Sequence, residues 1–298
     1  MQIRDTTSDW RRRLCRGFLL ALALTCAPAT WAGAARDEAR PAPERRVALV
    51  IGNGGYRFSP LKNPTNDARA MAQALETLGF EVTLREDASL RETMAAMRTF
   101  LAQGRDSEVR LFYYAGHGVQ LKGRNYLIPT DAQILSEEDV ADESADLSAL
   151  LERMGEFRKG LNILILDACR NNPFTNLTVA SKDGRVLKFR GNISSGLAQV
   201  SAPQGSLVAF STAPGSISMD GGNGSNGLYT KHLLNNIMEP GLPVEQLFKR
   251  VRMAVAQETK RMQIPWENSS LMGDFCFRTA GDQGCGGGAA LTRVRARP

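Results

Sequence analysis

Short apolar runs that alternate with amphipathic helical segments are the feature of this sequence that most restricts its fold. Arg46 to Ile51, Val109 to Ala115 and Leu161 to Leu166 are rich in β-branched and other apolar residues and are predicted to be strands. The last of these runs has Asn162 as its single polar residue, so it should be buried on both faces of a sheet. Helical patterns lie between the runs. This order predicts an α/β fold with a mostly parallel central sheet of about six strands flanked by helices.

Local signals predict where several elements begin and end. Ser89 and Glu92 form a capping box at the start of a helix that Gly104 should end. Pro243 is expected to open a longer helix near the end of the chain. The apolar residues of Leu271 to Phe277 predict a last strand.

The first 34 residues have the composition of a secretory signal peptide. A basic start precedes the apolar stretch Phe18 to Ala27, which is too short to span a bilayer, and Ala32-Gly33-Ala34 is a small-residue cleavage site. We therefore expect residues 1–34 to be removed on export and the protein to be periplasmic or secreted, with the membrane involved only through this signal. The twin arginines before Leu14 leave export of the folded protein open. Residues 35–45, mostly Ala, Arg, Glu and Pro, are expected to form a linker.

Removal of this segment changes the charge and the cysteine count. It takes away five Arg and two Asp, so the net charge of +6 falls to +3 and is weak evidence for a nucleic-acid partner, which we do not expect. Cys15 and Cys26 also leave. In an oxidising compartment Cys276 and Cys285 could pair and leave Cys169 as the free thiol; the alternative is that all three remain unpaired.

One polar interval divides the domain predicted over residues 46–277. Residues 175–205 contain Ser, Gly and Asn and are expected to form an exposed loop between a 46–174 part and a 206–277 part. The basic residues of this loop could be sites of self-cleavage, although a plain surface insertion is the alternative; they are Lys182, Arg185, Lys188 and Arg190. Residues 278–298, dominated by Gly, Ala and Arg, are expected to be disordered.

A histidine and a cysteine follow two of the predicted strands. His117 lies in Tyr-Tyr-Ala-Gly-His-Gly and Cys169 in Asp-Ala-Cys-Arg-Asn. Functional groups gather at the carboxyl ends of parallel strands, so the two residues can meet if their strands are neighbours. A thiol and an imidazole are the nucleophile and the base of cysteine hydrolases. The other histidine, His232, lies within a helical run and is expected to have no catalytic role. The sequence has no Cys-x-x-Cys or His-x-x-x-His pair, and we predict no metal site.

At these residues the chain resembles the caspase-like cysteine peptidases, in particular their bacterial metacaspase-like branch. The resemblance covers roughly residues 46–277, and Phe210-Ser-Thr-Ala-Pro-Gly215 is a third matching motif. It implies a caspase-like fold, a peptide or protein substrate, and a catalytic dyad of His117 and Cys169. It also implies an oxyanion hole made of the backbone N–H groups of Gly118 and Cys169. No cofactor is implied, and a calcium requirement and the oligomeric state stay open.

The departures from caspases concern the pocket for P1, the substrate residue on the N-terminal side of the cleaved bond. Asp167 stands where caspases have Gln, and Asp220 stands where they have an Arg that binds a P1 aspartate. Asp67 is the candidate for an acidic residue that metacaspases have after the first strand; its alternative role is as a carboxylate at a helix N-terminus. An acidic pocket favours Arg or Lys at P1. The resemblance therefore implies an endopeptidase that cleaves after Arg or Lys.

Two rival functions remain at this level. A caspase-like fold could serve as a catalytically silent binding or scaffold protein, because the sequence alone does not show that the dyad is aligned. A dinucleotide-binding enzyme is disfavoured, because Ile51-Gly-Asn-Gly-Gly55 lacks the full Gly-x-Gly-x-x-Gly spacing and no Gly-Lys-Ser/Thr is present. We interpret this segment as a turn with close backbone packing.

Overall fold

The structure is a computed structural model that describes residues 44–169, 178–180, 186–189, 197–213, 226–281 and 284–285. The predicted signal peptide, the linker up to residue 43 and the tail from residue 286 lie outside the described residues, and so does Asp220.

The described chain alternates strands and helices. The strands in chain order are β1 (Arg46–Gly52), β2 (Phe80–Glu86), β3 (Val109–Leu121), β4 (Arg124–Leu127), β5 (Ala145–Asp146), β6 (Leu161–Cys169), β7 (Thr178–Ala180), β8 (Val186–Lys188), β9 (Ser206–Phe210) and β10 (Trp266–Ser269). The helices are α1 (Pro64–Thr77), α2 (Leu90–Gly104), α3 (Asp139–Glu143), α4 (Leu147–Gly155), α5 (Leu228–Ile237) and α6 (Val244–Glu258).

A central sheet has the strand order β10-β9-β6-β3-β1-β2. Its strands are parallel except for β10, which pairs antiparallel with β9 at one edge. Beyond this path, β4 pairs with β3 and β5 pairs with β4. The predicted α/β fold, a mostly parallel sheet with helices around it, is therefore confirmed.

Helices cover both faces of the sheet because successive side chains of each strand point to opposite faces. On one face, Tyr113 and Ile165 are buried under α1, α5 and α6. On the other face, Tyr114 and Leu166 are buried with residues of α2 and α4. Strands β3 and β6 are central and mostly apolar on both faces, so the residues at their carboxyl ends follow strands that are buried in the core.

Several predicted element boundaries are confirmed. The side chain of Ser89 accepts a hydrogen bond from the backbone of Glu92, the Glu92 carboxylate accepts one from the Ser89 backbone, and α2 ends at Gly104. Pro243 is the residue that precedes the first turn of α6.

Two differences concern strands. β3 does not end before His117 but continues to Leu121. From Gly118 onward it leaves the parallel sheet and pairs with β4, a strand that was not predicted from the sequence. The prediction of a strand over Leu271 to Phe277 is wrong. The strand at that edge of the central sheet is β10. The apolar residues of the predicted strand are buried by packing: Phe275 and Phe277 contribute to the α1, α5 and α6 face of the core without forming a ladder.

The interval 175–205 is not a uniform exposed loop. β7 pairs antiparallel with β8, which ends at Lys188. Farther along, Leu197 is 2% exposed, and the Asn125 side chain exchanges two hydrogen bonds with the Ala198 backbone, at 2.6 and 3.1 Å. These contacts return the chain to the core before β9. The possible cleavage sites Lys182, Arg185 and Arg190 lie outside the described residues.

Cys276 and Cys285 form a disulfide, with their Cα atoms 5.6 Å apart. Of the two alternatives left by the sequence, the structure therefore has the paired one. In the part of the chain that the structure describes, no helix is both long and apolar enough to cross a membrane.

Arg110 is a buried charge at the amino-terminal end of β3, far along the sheet from His117. It is 1% exposed, and its guanidinium donates to Asn162 Oδ1 at 2.7 Å and to the carbonyl oxygens of Gly104 and Ser107 at 2.8 and 2.6 Å. It also donates to the Lys159 carbonyl. Burial lowers the pKa of Arg110. A single side chain thus joins the end of α2 to the segment that leads into β6.

We expect Arg110→Met to lower the free energy of unfolding by about 3 kcal/mol or more. The substitution removes the donor of several buried acceptors, and each buried acceptor without a donor costs about 1–3 kcal/mol. Urea unfolding followed by circular dichroism measures this change. Arg105→Met, at an exposed position nearby, is the matched control and should change the stability by no more than about 0.5 kcal/mol. Equal stabilities of the two variants would contradict the structural role of Arg110.

Candidate active site

His117 and Cys169 lie side by side at the end of the parallel pairing between β3 and β6. Their Cα atoms are partners in the register, immediately after the pair Gly116 and Ala168. Neighbouring strands lie about 4.8 Å apart, so the backbones of the two residues are close together. The condition set in the sequence analysis, that the two strands are neighbours, is therefore met.

The imidazole of His117 has a defined orientation. Its side chain is 6% exposed, and Nε2 lies 2.7 Å from the backbone oxygen of Ser59. A carbonyl oxygen can only accept a hydrogen bond, so Nε2 carries the proton. In the neutral ring, Nδ1 is then the basic nitrogen. The contact with Ser59 thus determines which nitrogen can take a proton.

Two tyrosine hydroxyls hold the backbone of His117. The Tyr56 hydroxyl accepts a hydrogen bond from the His117 N–H at 2.9 Å, and its ring lies 4.4 Å from the imidazole. The Tyr114 hydroxyl donates to the His117 carbonyl at 2.7 Å. A Cβ at Gly116 would lie 2.7 Å from both hydroxyl oxygens, and the φ of Gly116 is +153°. The glycine before His117 is required here because the two phenols occupy the space of a side chain.

The loop between β1 and α1 carries both Tyr56 and Ser59. Asp87 anchors the start of this loop, since its Oδ1 accepts hydrogen bonds from the N–H groups of Gly54 and Gly55 at 2.8 and 2.7 Å. Ser59 has a φ of +55°, a left-handed conformation that is uncommon for residues other than glycine. The glycine-rich segment is thus a turn with close backbone packing, as predicted. The loop that continues from it places the Ser59 carbonyl oxygen next to the imidazole.

The backbone geometry at Gly118 bears on the predicted oxyanion hole. Gly118 is opposite Leu127 in the β3–β4 ladder, and the Ile128 N–H donates to the His117 carbonyl at 3.0 Å. In an antiparallel ladder this arrangement makes Gly118 and Leu127 a pair that is not hydrogen-bonded. The Gly118 N–H therefore points away from β4, on the side where β6 ends at Cys169.

Asp67 is buried in the first part of α1 and faces another helix. It is 3% exposed, and its Oδ1 accepts hydrogen bonds from Asn226 Nδ2 at 2.9 Å and from the Gly227 N–H at 2.8 Å. The second partner belongs to the residue that precedes α5. Asp67 lies near a helix N-terminus, as the alternative role required, but it also ties α1 to α5.

Asp167 lies on β6, two residues before the last residue of the strand. Its Oδ2 accepts a hydrogen bond from Thr230 Oγ1 at 2.9 Å. Tyr113 lies behind Thr230, with the two hydroxyl oxygens 2.6 Å apart. Burial, followed by the negative charges of Asp67 and Asp167, raises the pKa of Tyr113 well above its ordinary value.

The carboxylates of Asp67 and Asp167 both lie close to Gly227. A Cβ at Gly227 would lie 2.9 Å from Asp67 Oδ2 and 3.6 Å from Asp167 Oδ2. The backbone of Gly227, with φ −58° and ψ 151°, is accessible to any residue. The backbone therefore does not require glycine, but the Asp67 carboxylate occupies the place of a side chain. Two carboxylates so close to one backbone position attract a group that carries positive charge.

The other candidates from the sequence are Asp220, the third motif and His232. Asp220 lies outside the described residues, and so do Pro214 and Gly215 of the third motif. Ser211 of that motif is fully buried and continues β9 beside β6, since its N–H donates to the Leu166 carbonyl at 2.9 Å. His232 is on α5, where Nε2 lies 2.8 Å from Glu258 Oε2, so it is a helix-face residue as expected.

Some residues of the site were not predicted from the sequence. They act through backbone groups or contact residues that are far away in the sequence. Ser59 contributes a carbonyl oxygen, which no side-chain pattern reveals. Gly227 and Thr230 approach Asp67 and Asp167 across long sequence separations. Tyr56 could have been noticed as an aromatic residue in a glycine-rich loop. Within the described ranges, no group of three or more His, Cys, Asp or Glu side chains could hold a metal ion.

Comparison with known proteins agrees with this geometry. A family model of the caspase domain matches residues 45–276. The chain is also similar to the mucosa-associated lymphoid tissue lymphoma translocation protein 1 of Homo sapiens, with 29% identity over 201 residues, and to its homolog from Mus musculus with the same identity. The match covers 67% of this chain and 22% of each relative, so the chain spans about a fifth of the length of these proteins.

Proposed function

Because this chain belongs to the caspase-domain family of peptidases, we propose that it is a cysteine endopeptidase that uses His117 and Cys169 and cleaves after Arg or Lys. The observation that carries the proposal is the register of β3 and β6, in which His117 and Cys169 are partners. The substrate is a peptide or protein chain. The site residues, the P1 preference and the bacterial metacaspase-like branch are parts of this proposal.

The proposed reaction begins with transfer of the thiol proton of Cys169 to Nδ1 of His117. The thiolate sulfur then attacks the carbonyl carbon of the P1 residue, and the carbonyl π electrons move to the oxygen. When the tetrahedral intermediate collapses, the C–N bond breaks and the imidazolium donates its proton to the leaving amine. Water, deprotonated by the same imidazole, hydrolyses the thioester and restores the thiol. The Ser59 carbonyl supports each step because it holds the Nε2 proton in place.

The negative oxygen of the intermediate needs hydrogen-bond donors. The backbone N–H groups of Gly118 and Cys169 are the proposed donors, and the direction of the Gly118 N–H away from β4 supports this role. Such donors are worth about 3 kcal/mol each.

Asp67 and Asp167 support a preference for a cationic P1 side chain. Their Oδ2 atoms both lie close to Gly227, and two carboxylates this close together attract a guanidinium or ammonium group. A P1 aspartate is disfavoured because it would bring a third negative charge to the same place. Asp220 remains a proposed additional member of this pocket.

The periplasmic or secreted location is also a proposal. The disulfide between Cys276 and Cys285 supports it, since such bonds persist in oxidising compartments. N-terminal sequencing of protein from the periplasm or the medium tests it: a chain that starts close to residue 35 supports export, and a cytoplasmic chain that starts at Met1 contradicts it.

A panel of fluorogenic peptides that differ only at P1, with Arg, Lys, citrulline or Asp, tests the activity and the specificity together. Hydrolysis of the Arg and Lys peptides with little turnover of the others is expected. A preference for Asp would overturn the proposed pocket. If no peptide were cleaved but proteins still bound, the scaffold alternative would be favoured.

A further inference from the structure

Thr230 connects the proposed P1 pocket to the core of the protein. It is the third residue of α5 and is fully buried, so it has no surface with which to contact a substrate. Its hydroxyl lies between two others, 2.9 Å from Asp167 Oδ2 and 2.6 Å from the Tyr113 hydroxyl oxygen.

The direction of these hydrogen bonds follows from the number of protons. An ionised carboxylate can only accept, so Thr230 donates its single proton to Asp167. Thr230 then has only lone pairs for its other neighbour, and Tyr113 must donate to it. Tyr113 can do so at all ordinary pH values, because burial raises the pKa of its phenol. The three groups form a directed chain that ends on Oδ2 of Asp167.

We propose that Thr230 is a positioning residue that, with Tyr113 behind it, orients the Asp167 carboxylate for a cationic P1 side chain and thereby determines specificity. This inference rests on the proposed peptidase function. Thr230 lies in the first turn of α5 and Gly227 precedes it, so one short segment holds Asp167 through a hydrogen bond and lies against the carboxylates of Asp67 and Asp167.

The inference predicts an effect on binding of one class of substrate and not on the chemical step. Thr230→Val keeps the shape of the side chain but removes the donor to Asp167 and the acceptor of Tyr113. Hydrogen bonds to charged groups contribute about 1.5–3 kcal/mol, so we expect KM for a P1 Arg peptide to rise by about tenfold or more, with kcat nearly unchanged. Turnover of the P1 citrulline peptide, whose side chain has the same shape without the charge, should not change.

The experiment compares Thr230→Val, Thr230→Ser and a matched control with wild type on P1 Arg and P1 citrulline peptides. Thr230→Ser keeps the hydroxyl and should restore the wild-type KM. Thr93→Val is the control, because Thr93 is 2% exposed and its hydroxyl has no hydrogen-bond partner among the described residues. It should leave both peptides unaffected, and thermal unfolding should show that every variant is folded.

Two results would overturn the positioning role. One is an unchanged KM for the Arg peptide in Thr230→Val. The other is an equal loss on both peptides, which would indicate general damage to the fold. If wild type itself did not distinguish Arg from citrulline, the proposed specificity would fail first, and the role of Thr230 with it. The wild-type measurement therefore separates the two failures.

Discussion

Cys169→Ala is expected to lower the rate of peptide hydrolysis by about 10⁴-fold or more, and His117→Ala by about 10³-fold or more. The first change removes the nucleophile, and the second removes the base that takes its proton. Both substitutions leave the proposed P1 pocket intact, so the affinity for the substrate should change little. Steady-state hydrolysis of a P1 Arg peptide by the purified proteins measures both effects.

The chain contains its own control for this prediction. His232 is the other histidine, and it pairs with Glu258 on the surface of α5 and α6. His232→Ala should retain wild-type turnover. Circular dichroism and thermal unfolding of all three variants should remain close to wild type. Full turnover by Cys169→Ala, or an equal loss in His232→Ala, would be incompatible with a dyad of His117 and Cys169.

Asp167→Asn is expected to lower kcat/KM for P1 Arg peptides by about 10²-fold or more, while turnover of the P1 citrulline peptide is maintained. The amide has the shape of the carboxylate and can still accept a hydrogen bond from Thr230 through Oδ1. Only the charge that faces the guanidinium is lost. Removal of one partner of a buried charge pair costs about 2–5 kcal/mol, a range of about 30-fold to about 5000-fold that includes the expected loss.

Asp106→Asn is the control for Asp167→Asn, because it removes one negative charge at an exposed position. Its kinetics should be those of wild type for both peptides. An unchanged preference for Arg in Asp167→Asn would remove Asp167 from the P1 pocket. Asp67→Asn is less suited to this test, because Asp67 accepts the N–H of Gly227 and so also stabilises the start of α5.

The burial of Asp67 explains why one carboxylate can have two roles. Oδ1 accepts the hydrogen bonds from Asn226 and Gly227, and Oδ2 lies against Gly227 on the side of Asp167. The structural role at the helix start and the proposed role in the pocket therefore use different oxygens. The two alternatives that the sequence left open for this residue are compatible in the folded protein.

The sequence by itself determined the parallel strands β1, β3 and β6 and the positions of His117 and Cys169 along them. The strand patterns of β1, β3 and β6 are continuous apolar runs, and the signals around α2 and α6 are local in the chain. Local propensity and periodicity depend only on residues a few positions apart, so they are visible without a structure. The placement of His117 and Cys169 at one edge of the sheet followed from the same rules, because parallel strands have their carboxyl ends at one edge. That β3 and β6 are neighbours was decided by the tertiary structure.

Elements whose burial comes from distant contacts were not predicted correctly. Residues 271–277 have the composition of a strand, yet Phe275 and Phe277 are buried by packing in the α1, α5 and α6 face of the core. β4 and β5 are short, and they form because β3 extends past Gly118 and offers an edge with which to pair. Whether such a segment forms a ladder depends on the partner that the fold brings to it.

Only the tertiary structure decided how the site is surrounded. The sequence singled out His117, but the atom that orients its imidazole is a backbone oxygen of Ser59, which has no signature in a sequence. Asp67 and Asp167 were recognised as acidic, but both approach the same backbone position, Gly227, which is 160 residues beyond Asp67 in the chain. Residue types and local spacing determine which chemistry a chain can perform. The distances between groups far apart in sequence depend on the packing of α1, α5 and β6 against one another, and these distances determine which groups surround each carboxylate.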